Sequence, residues 1–199
     1  FAERLARAAG VTVTLPRYRL APEAPFPSGL ADALAALEAL RGEIGAETPL
    51  IVLGDSAGGG LAASLGLLCA AGMAPRIDGL VLLSAWLDLT VSASSFTANA
   101  ASDPLFGAES ARIAADLYLQ GQDPRHPLAS PVLAGEALLT GYPPCLVSVG
   151  TGEVLLDDAL RFHARLRAAG RDSRLLTVDG MDHVAVVRGA ALPGSAETF

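Results

Sequence analysis

The serine at position 56 stands in a pattern that can make it a nucleophile. An apolar run at 50–53 precedes the pentapeptide G-D-S-A-G at 54–58, and a segment rich in alanine and leucine follows. This order predicts a strand, a sharp turn and a helix, the context in which a G-x-S-x-G serine is strained and exposed. Gly54 and Gly58 are expected to be glycines because a Cβ atom at either position would collide across the turn.

The chemistry predicted from this turn is acyl transfer. The backbone N–H of Ala57, at the start of the helix, is aimed at the oxygen that becomes negative when Ser56 attacks a carbonyl, so Ala57 is the predicted oxyanion-hole donor. The alternative is a strand–loop–helix junction with an incidental serine. All 14 basic residues are arginine, and the absence of lysine excludes Schiff-base and serine–lysine catalysis.

A serine nucleophile needs a base, and the chain has three histidines. His163 lies inside a predicted helix and His126 in a proline-flanked loop, where surface and backbone-capping roles are the simpler interpretations. His183 follows the last predicted strand, and the chain order nucleophile, acid, histidine favours it as the base. The three histidines lack the spacing of metal ligands, so we predict neither a metal nor a cofactor.

The acid that orients the histidine is expected just after the strand predicted at 145–149. Glu153 lies in the loop itself, where its side chain can reach the edge of the sheet. Asp157 and Asp158 come one turn later, where unpaired helix N–H groups and the helix dipole explain acidic residues. We predict Glu153 as the acid and keep Asp157 as the alternative.

Helical and strand patterns alternate along the chain and must position these residues. Strands are predicted at 11–15, 50–53, 79–84, 145–149 and 174–178, and helices at 1–9, 29–40, 59–71, 108–119 and 155–169. Near-continuous apolar strands separated by helices predict an α/β fold with a parallel sheet covered on both faces. The loops that carry the three candidate residues then meet at the carboxyl ends of the strands, where such sheets bind ligands.

Composition limits the remaining possibilities. A length of 199 residues suggests a single domain covering 1–199. The net charge of −7 without a basic cluster argues against a nucleic-acid partner, and no apolar run is long enough for a membrane span. The two cysteines, Cys69 and Cys145, do not form a disulfide framework. No signal peptide is visible in a chain that begins at Phe1, and we expect a cytoplasmic protein.

Four motifs carry a family resemblance. The segments Y-R-L-A-P-E at 18–23, P-F-P at 25–27, G-D-S-A-G-G at 54–59 and D-G-M-D-H at 179–183 together resemble the bacterial hormone-sensitive-lipase family of α/β-hydrolases. The resemblance covers essentially the whole chain. It implies the α/β-hydrolase fold and hydrolysis of small-molecule carboxylic esters, usually with short acyl chains, by a serine–histidine–acid triad.

The sequence departs from the family pattern at the acid. The family has Asp-Pro-Leu thirty residues before its histidine, and here Glu153-Val154-Leu155 stands thirty residues before His183. The resemblance therefore implies a glutamate in place of the usual aspartate. Tyr18, Arg19 and Glu23 match a family motif that we interpret as scaffold beside the site.

The family's His-Gly-Gly-Gly motif, which completes the oxyanion hole, does not occur in this sequence. In the family, the strand leading to that motif lies between the strands at 11–15 and 50–53. We therefore expect the sequence to be part of a longer esterase, shortened at the N-terminus and also at the C-terminus, and expect the 199 residues alone to be inactive or to aggregate.

Other interpretations remain open at this point. They are a non-catalytic ligand-binding relative, a peptidase or amidase on the same scaffold, and a decayed gene product. The resemblance also implies a possible homodimer formed through the last strand. The acyl pocket is expected to be shaped by Trp86, Leu87, Phe96 and Phe106, with Asp88 nearby, although Trp86 packing under the helix at 108–119 is the plainer interpretation.

Overall fold

The strands form one parallel sheet in the computed structural model, which describes all 199 residues, Phe1–Phe199. The sheet has four strands in the order β1-β2-β3-β4. They are β1 (Ile51–Asp55), β2 (Gly79–Leu83), β3 (Cys145–Gly150) and β4 (Ser173–Val178). Because all neighbouring pairs are parallel, the four carboxyl ends lie at the same edge of the sheet. The predicted parallel α/β architecture is confirmed.

Helices connect and flank these strands. The α-helices are α1 (Ala2–Ala9), α2 (Ser28–Ile44), α3 (Ser56–Ala70), α4 (Ser95–Ala98), α5 (Ala108–Leu119), α6 (Glu136–Leu139), α7 (Leu156–Ala168), α8 (Ala185–Arg188) and α9 (Ser195–Thr198), with a 3₁₀ turn at Pro131–Leu133. None of these helices has both the length and the apolar character needed to cross a membrane.

One face of the sheet carries the main hydrophobic core. Helix α3 packs against β1 and β2, helix α7 packs against β3 and β4, and α2 packs against α3. Leu82 and Val147 are fully buried beneath them. Helix α3 is apolar on all sides, as expected of a helix enclosed by other elements.

The other face is covered in part. Val178, Met181 and Ala185 form a small separate cluster there, and α9 contacts β4. Because side chains alternate between faces along each strand, Ile51 of β1 points to this second face, where 55% of it is exposed. Strand β1 is also an edge strand, since β2 is its single neighbour.

The strand predicted at 11–15 is not formed. These residues have no regular secondary structure, and Val11 and Leu15 are exposed. The alternating pattern V-T-V-T-L suits a half-buried strand, but a strand also needs a neighbour that accepts and donates its backbone hydrogen bonds. No strand of this chain lies beside residues 11–15, so the alternating pattern alone is not sufficient to form a strand there.

Candidate active site

The turn between β1 and α3 has the predicted strained geometry. Asp55 is extended, and Ser56 follows with φ +51°, a value that a residue with a side chain rarely adopts. A Cβ atom at Gly54 would lie 2.2 Å from the carbonyl oxygen of Gly58, so glycine is required at position 54 as predicted. The N–H of Trp86 donates a 3.0 Å hydrogen bond to the Ser56 carbonyl and ties the turn to the segment after β2.

The prediction for Gly58 is wrong. A Cβ atom there would meet the Tyr18 hydroxyl at 3.9 Å and nothing closer outside its own helix. The next two glycines of α3 are crowded instead. A Cβ at Gly59 would lie 2.5 Å from the Ala85 Cβ, and one at Gly60 would lie 2.6 Å from the Trp86 carbonyl oxygen. They allow α3 to approach the segment that follows β2.

Three of the predicted residues form a hydrogen-bonded chain. His183 Nε2 lies 3.0 Å from Ser56 Oγ, and His183 Nδ1 lies 2.8 Å from Glu153 Oε2. Glu153 is 1% exposed, whereas Ser56, at the other end of this set of hydrogen bonds, is partly exposed. We refer to Ser56, His183 and Glu153 as the candidate triad.

The alternative acid lies elsewhere. Asp157 Oδ2 accepts hydrogen bonds from the Ser94 hydroxyl at 2.5 Å and from the Ser95 N–H at 2.9 Å. Its position in the first turn of α7 directs the carboxylate to the segment before α4, and it makes no hydrogen bond to His183. The structure therefore places Glu153, and not Asp157, against the imidazole.

The second oxygen of Glu153 is held by two groups that the sequence analysis missed. Glu153 Oε1 accepts hydrogen bonds from the Ser84 hydroxyl at 2.8 Å and from the Gly150 N–H at 2.6 Å. The Ser84 hydroxyl also accepts the Val184 N–H at 3.3 Å and so joins the histidine loop to the acid. Ser84 directly follows β2 at the same edge of the sheet, a signal that could have identified it.

Ala57, the predicted oxyanion-hole donor, has a backbone amide without a partner inside its helix. It is the second residue of α3, and the first N–H groups of a helix have no partner within the helix. This N–H lies beside Ser56 at the positive end of a 15-residue helix, so it can donate to an oxyanion.

An aromatic cluster adjoins the histidine. The ring of Phe106 stacks on the His183 imidazole with centroids 5.8 Å apart and an angle of 15° between the planes. Trp86 and Phe96 pack against Phe106, with centroids 5.3 and 6.2 Å away. Of the four residues expected to shape an acyl pocket, Leu87 is fully buried and unable to contact a substrate, whereas Phe106 is half-buried beside His183.

Of the three residues interpreted as scaffold, Arg19 ties the loop at 18–27 to helix α2. The Arg19 guanidinium makes two hydrogen bonds, of 2.9 and 2.8 Å, to the Asp32 carboxylate of α2. These bonds hold the pKa of Asp32 at about 2. Burial and the neighbouring Asp55 carboxylate raise the pKa of the Tyr18 phenol, which lies beside the turn. Glu23 is exposed and makes no side-chain hydrogen bond.

Comparison with known proteins identifies the family. Residues 1–187 match the model of a family described by its alpha/beta hydrolase fold. An acetyl-hydrolase of Streptomyces hygroscopicus is 42% identical over 167 residues, which are 83% of this chain and 54% of that protein. An esterase of Acinetobacter venetianus is 35% identical over 153 residues, which are 76% of this chain and 50% of that protein.

Solved structures agree with these relatives. An esterase from the bacterial hormone-sensitive lipase family superimposes with a TM-score of 0.89 at 42% identity, covering 97% of this chain and 64% of the other. The protein EstE5, in crystals soaked with p-nitrophenyl butyrate, superimposes with the same TM-score of 0.89 at 36% identity, covering 98% of this chain and 65% of the other.

The chain spans about half the length of the two curated relatives and about two thirds of the length of the solved structures. The match to the family model nevertheless covers nearly all residues of this chain. The turn at Ser56, the parallel sheet and these likenesses together show that the chain belongs to the bacterial hormone-sensitive-lipase family of α/β-hydrolases.

Proposed function

We propose that this chain carries the catalytic residues of a serine carboxylesterase that hydrolyses esters with short acyl chains. The observation that carries the proposal is the hydrogen-bonded chain from Ser56 Oγ through His183 to Glu153 at the carboxyl edge of the sheet. An incidental serine would need neither a base at 3.0 Å nor a buried carboxylate behind that base.

In the proposed reaction, Glu153 holds the proton of His183 on Nδ1 and leaves Nε2 free to accept. Ser56 Oγ attacks the ester carbonyl carbon while its proton passes to Nε2, and the carbonyl electron pair moves onto the oxygen. The N–H of Ala57 stabilises that oxyanion. Collapse of the intermediate breaks the bond to the alcohol oxygen, which takes the proton from Nε2. Water then repeats these steps on the acyl-enzyme and releases the acid.

Two comparisons support a short acyl chain. The Streptomyces relative is named an acetyl-hydrolase, and the EstE5 crystals were soaked with a butyrate ester. We therefore expect faster hydrolysis of p-nitrophenyl acetate and butyrate than of the decanoate, measured as kcat/KM.

The test compares three single substitutions in hydrolysis of p-nitrophenyl acetate and butyrate. Ser56→Ala removes the nucleophile and is expected to lower kcat by at least about 1,000-fold. Glu153→Gln keeps the shape of the side chain but not the charge that holds the imidazole, and is expected to lower kcat by about 100-fold or more. Asp157→Asn is the matched comparison and is expected to leave kcat close to the wild-type value.

The assay is run on the 199-residue chain and on the full-length product of the gene that encodes it. Absence of turnover by the full-length product, or full turnover with Ser56→Ala, would overturn the proposal. Loss of activity with Asp157→Asn but not with Glu153→Gln would move the acid role to Asp157.

A further inference from the structure

The loop that carries Glu153 is enclosed by the segment at 95–106. All four carbonyl groups from Thr151 to Val154 accept hydrogen bonds from side chains of that segment. The donors are Asn99 Nδ2 to Thr151 O at 3.1 Å and to Glu153 O at 2.8 Å, Ser102 Oγ to Gly152 O at 2.8 Å, and Ser95 Oγ to Val154 O at 2.5 Å. The backbone that carries Glu153 is thus held by another part of the chain.

Asp103, in the same segment, accepts a hydrogen bond from a backbone N–H of this loop, whereas the other side chains donate to its carbonyl groups. Its Oδ2 accepts the Val154 N–H at 3.0 Å, and this bond is buried. Its Oδ1 accepts the N–H groups of Leu105 and Phe106, each at 3.1 Å. A single buried carboxylate therefore joins the backbone next to Glu153 to the backbone of Phe106.

Phe106 completes the connection to the histidine. Its ring stacks on the imidazole of His183 and is itself packed by Trp86 and Phe96. The imidazole is thereby held at Nδ1 by Glu153 and on one face by Phe106. Both of these supports depend on backbone groups that donate to the Asp103 carboxylate.

We propose that Asp103 is a positioning residue for the candidate triad, acting through Val154 and Phe106 on Glu153 and His183. This inference rests on the proposed function. Asp103 makes no hydrogen bond to the side chain of Ser56, Glu153 or His183, so it acts on them by fixing their neighbours. Small errors in such positions are costly because a displacement of about 1 Å can lower a rate about 100-fold.

The critical variant is Asp103→Asn. The amide keeps one accepting oxygen but presents N–H groups with the other atom, so either Val154 or the pair Leu105 and Phe106 loses its acceptor. We expect kcat for p-nitrophenyl acetate to fall at least about tenfold with KM nearly unchanged. Asp123→Asn is the matched control, since Asp123 accepts the Arg125 N–H at 2.9 Å in an exposed loop, and it should leave kcat unchanged.

A spectroscopic measurement separates this inference from the proposed function. The proton between His183 Nδ1 and Glu153 Oε2 should give a low-field proton resonance, measurable in the Ser56→Ala background without any turnover. Asp103→Asn is expected to shift or broaden this resonance, and Asp123→Asn is not. If the unsubstituted protein hydrolyses no ester, the proposed function fails, and the resonance still tests whether Asp103 positions Glu153 and His183.

Phe106→Leu serves where Asp103→Asn does not fold. It keeps an apolar side chain but removes the flat contact with the imidazole, and it too should lower kcat and shift the resonance. Where the unsubstituted protein is active, the inference is overturned if Asp103→Asn folds with wild-type kcat. Where it is inactive, the inference is overturned if Asp103→Asn folds and leaves the resonance unchanged. It is equally overturned if Asp103→Asn fails to fold and Phe106→Leu retains both kcat and the resonance.

Discussion

Ser56 is held in a backbone conformation that its neighbours impose. Its φ of +51° lies in the left-handed region, which costs a residue with a side chain about 1–2 kcal/mol. Gly54 allows the backbone to close at this turn, and the bond from the Trp86 N–H to the Ser56 carbonyl holds it. The side chain of the serine is thereby presented to His183.

The two glycines of the pentapeptide are expected to respond differently to a methyl group. Gly54→Ala forces a Cβ to within 2.2 Å of the Gly58 carbonyl oxygen and should lower the free energy of unfolding by about 3 kcal/mol or more. Gly58→Ala places a methyl group in ordinary contact with the Tyr18 hydroxyl inside a helix and should be neutral or stabilising by up to about 1 kcal/mol. Chemical denaturation of both variants checks this, and equal losses of stability would contradict it.

At the scale of elements, the first turn of α7 is tied to the segment after β2. Asp158 Oδ2 accepts the N–H groups of Leu87 and Asp88, each at 2.9 Å, while its Oδ1 is buried without a partner. Asp88 in turn is paired with Arg161 of α7 at 2.9 Å. Two carboxylates thus join α7 to the segment after β2, and the loop that carries Glu153 leads directly into α7.

Asp158 makes the stability of the protein depend on pH. Burial, assisted by the Asp88 carboxylate, raises the pKa of Asp158 from 3.8 to about 7. The folded state therefore retains this proton over a pH range in which the unfolded chain has released it. This contribution to stability is fully present below pH 4, falls as the pH rises toward 7, and is constant above that.

Asp158→Asn is expected to remove this dependence. The asparagine keeps an oxygen for the Leu87 and Asp88 N–H groups but has no charge to bury. The free energy of unfolding of the variant, relative to wild type, should increase between pH 4 and pH 7 by up to about 4 kcal/mol. Urea denaturation of both proteins over this range measures the difference, and curves that stay parallel would contradict the expectation.

At the scale of the whole molecule, the two faces of the sheet differ. Helices α3 and α7 cover one face, while Ile51 on the other is 55% exposed and lies on an edge strand. An apolar face beside unpaired strand groups favours association with other chains. The net charge of −7 opposes association through repulsion between molecules.

We expect the 199-residue chain to self-associate with increasing concentration, and Ile51→Lys to reduce that association because it places a charge on the exposed face of β1. Met73→Lys is the matched control, since Met73 is 67% exposed but lies in a turn after α3. Sedimentation velocity at several concentrations gives the result. Equal effects of the two substitutions would assign the association to net charge and not to this face.

The elements near Ser56 could be predicted from the sequence because their information is local. The glycine at position 54 and the apolar run before it determine a strand and a turn within a few residues, and the structure confirms both. The error at Gly58 shows the limit of such reasoning. Which glycine is crowded depends on how closely the segment at 85–86 approaches α3, and that distance cannot be inferred from the five residues of the motif.

The sequence by itself determined the parallel α/β architecture and the strained turn at Ser56. It also reduced the candidates for the base and the acid that would act with Ser56 to a few residues. The tertiary structure alone decided that Glu153 and not Asp157 lies against His183, that Ser84 and Asp103 brace that arrangement, and that residues 11–15 form no strand. The reason is physical. Periodicity and turn chemistry act over a few residues, whereas the bond between Ser56 and His183 spans 127 positions and exists only once the strands have aligned.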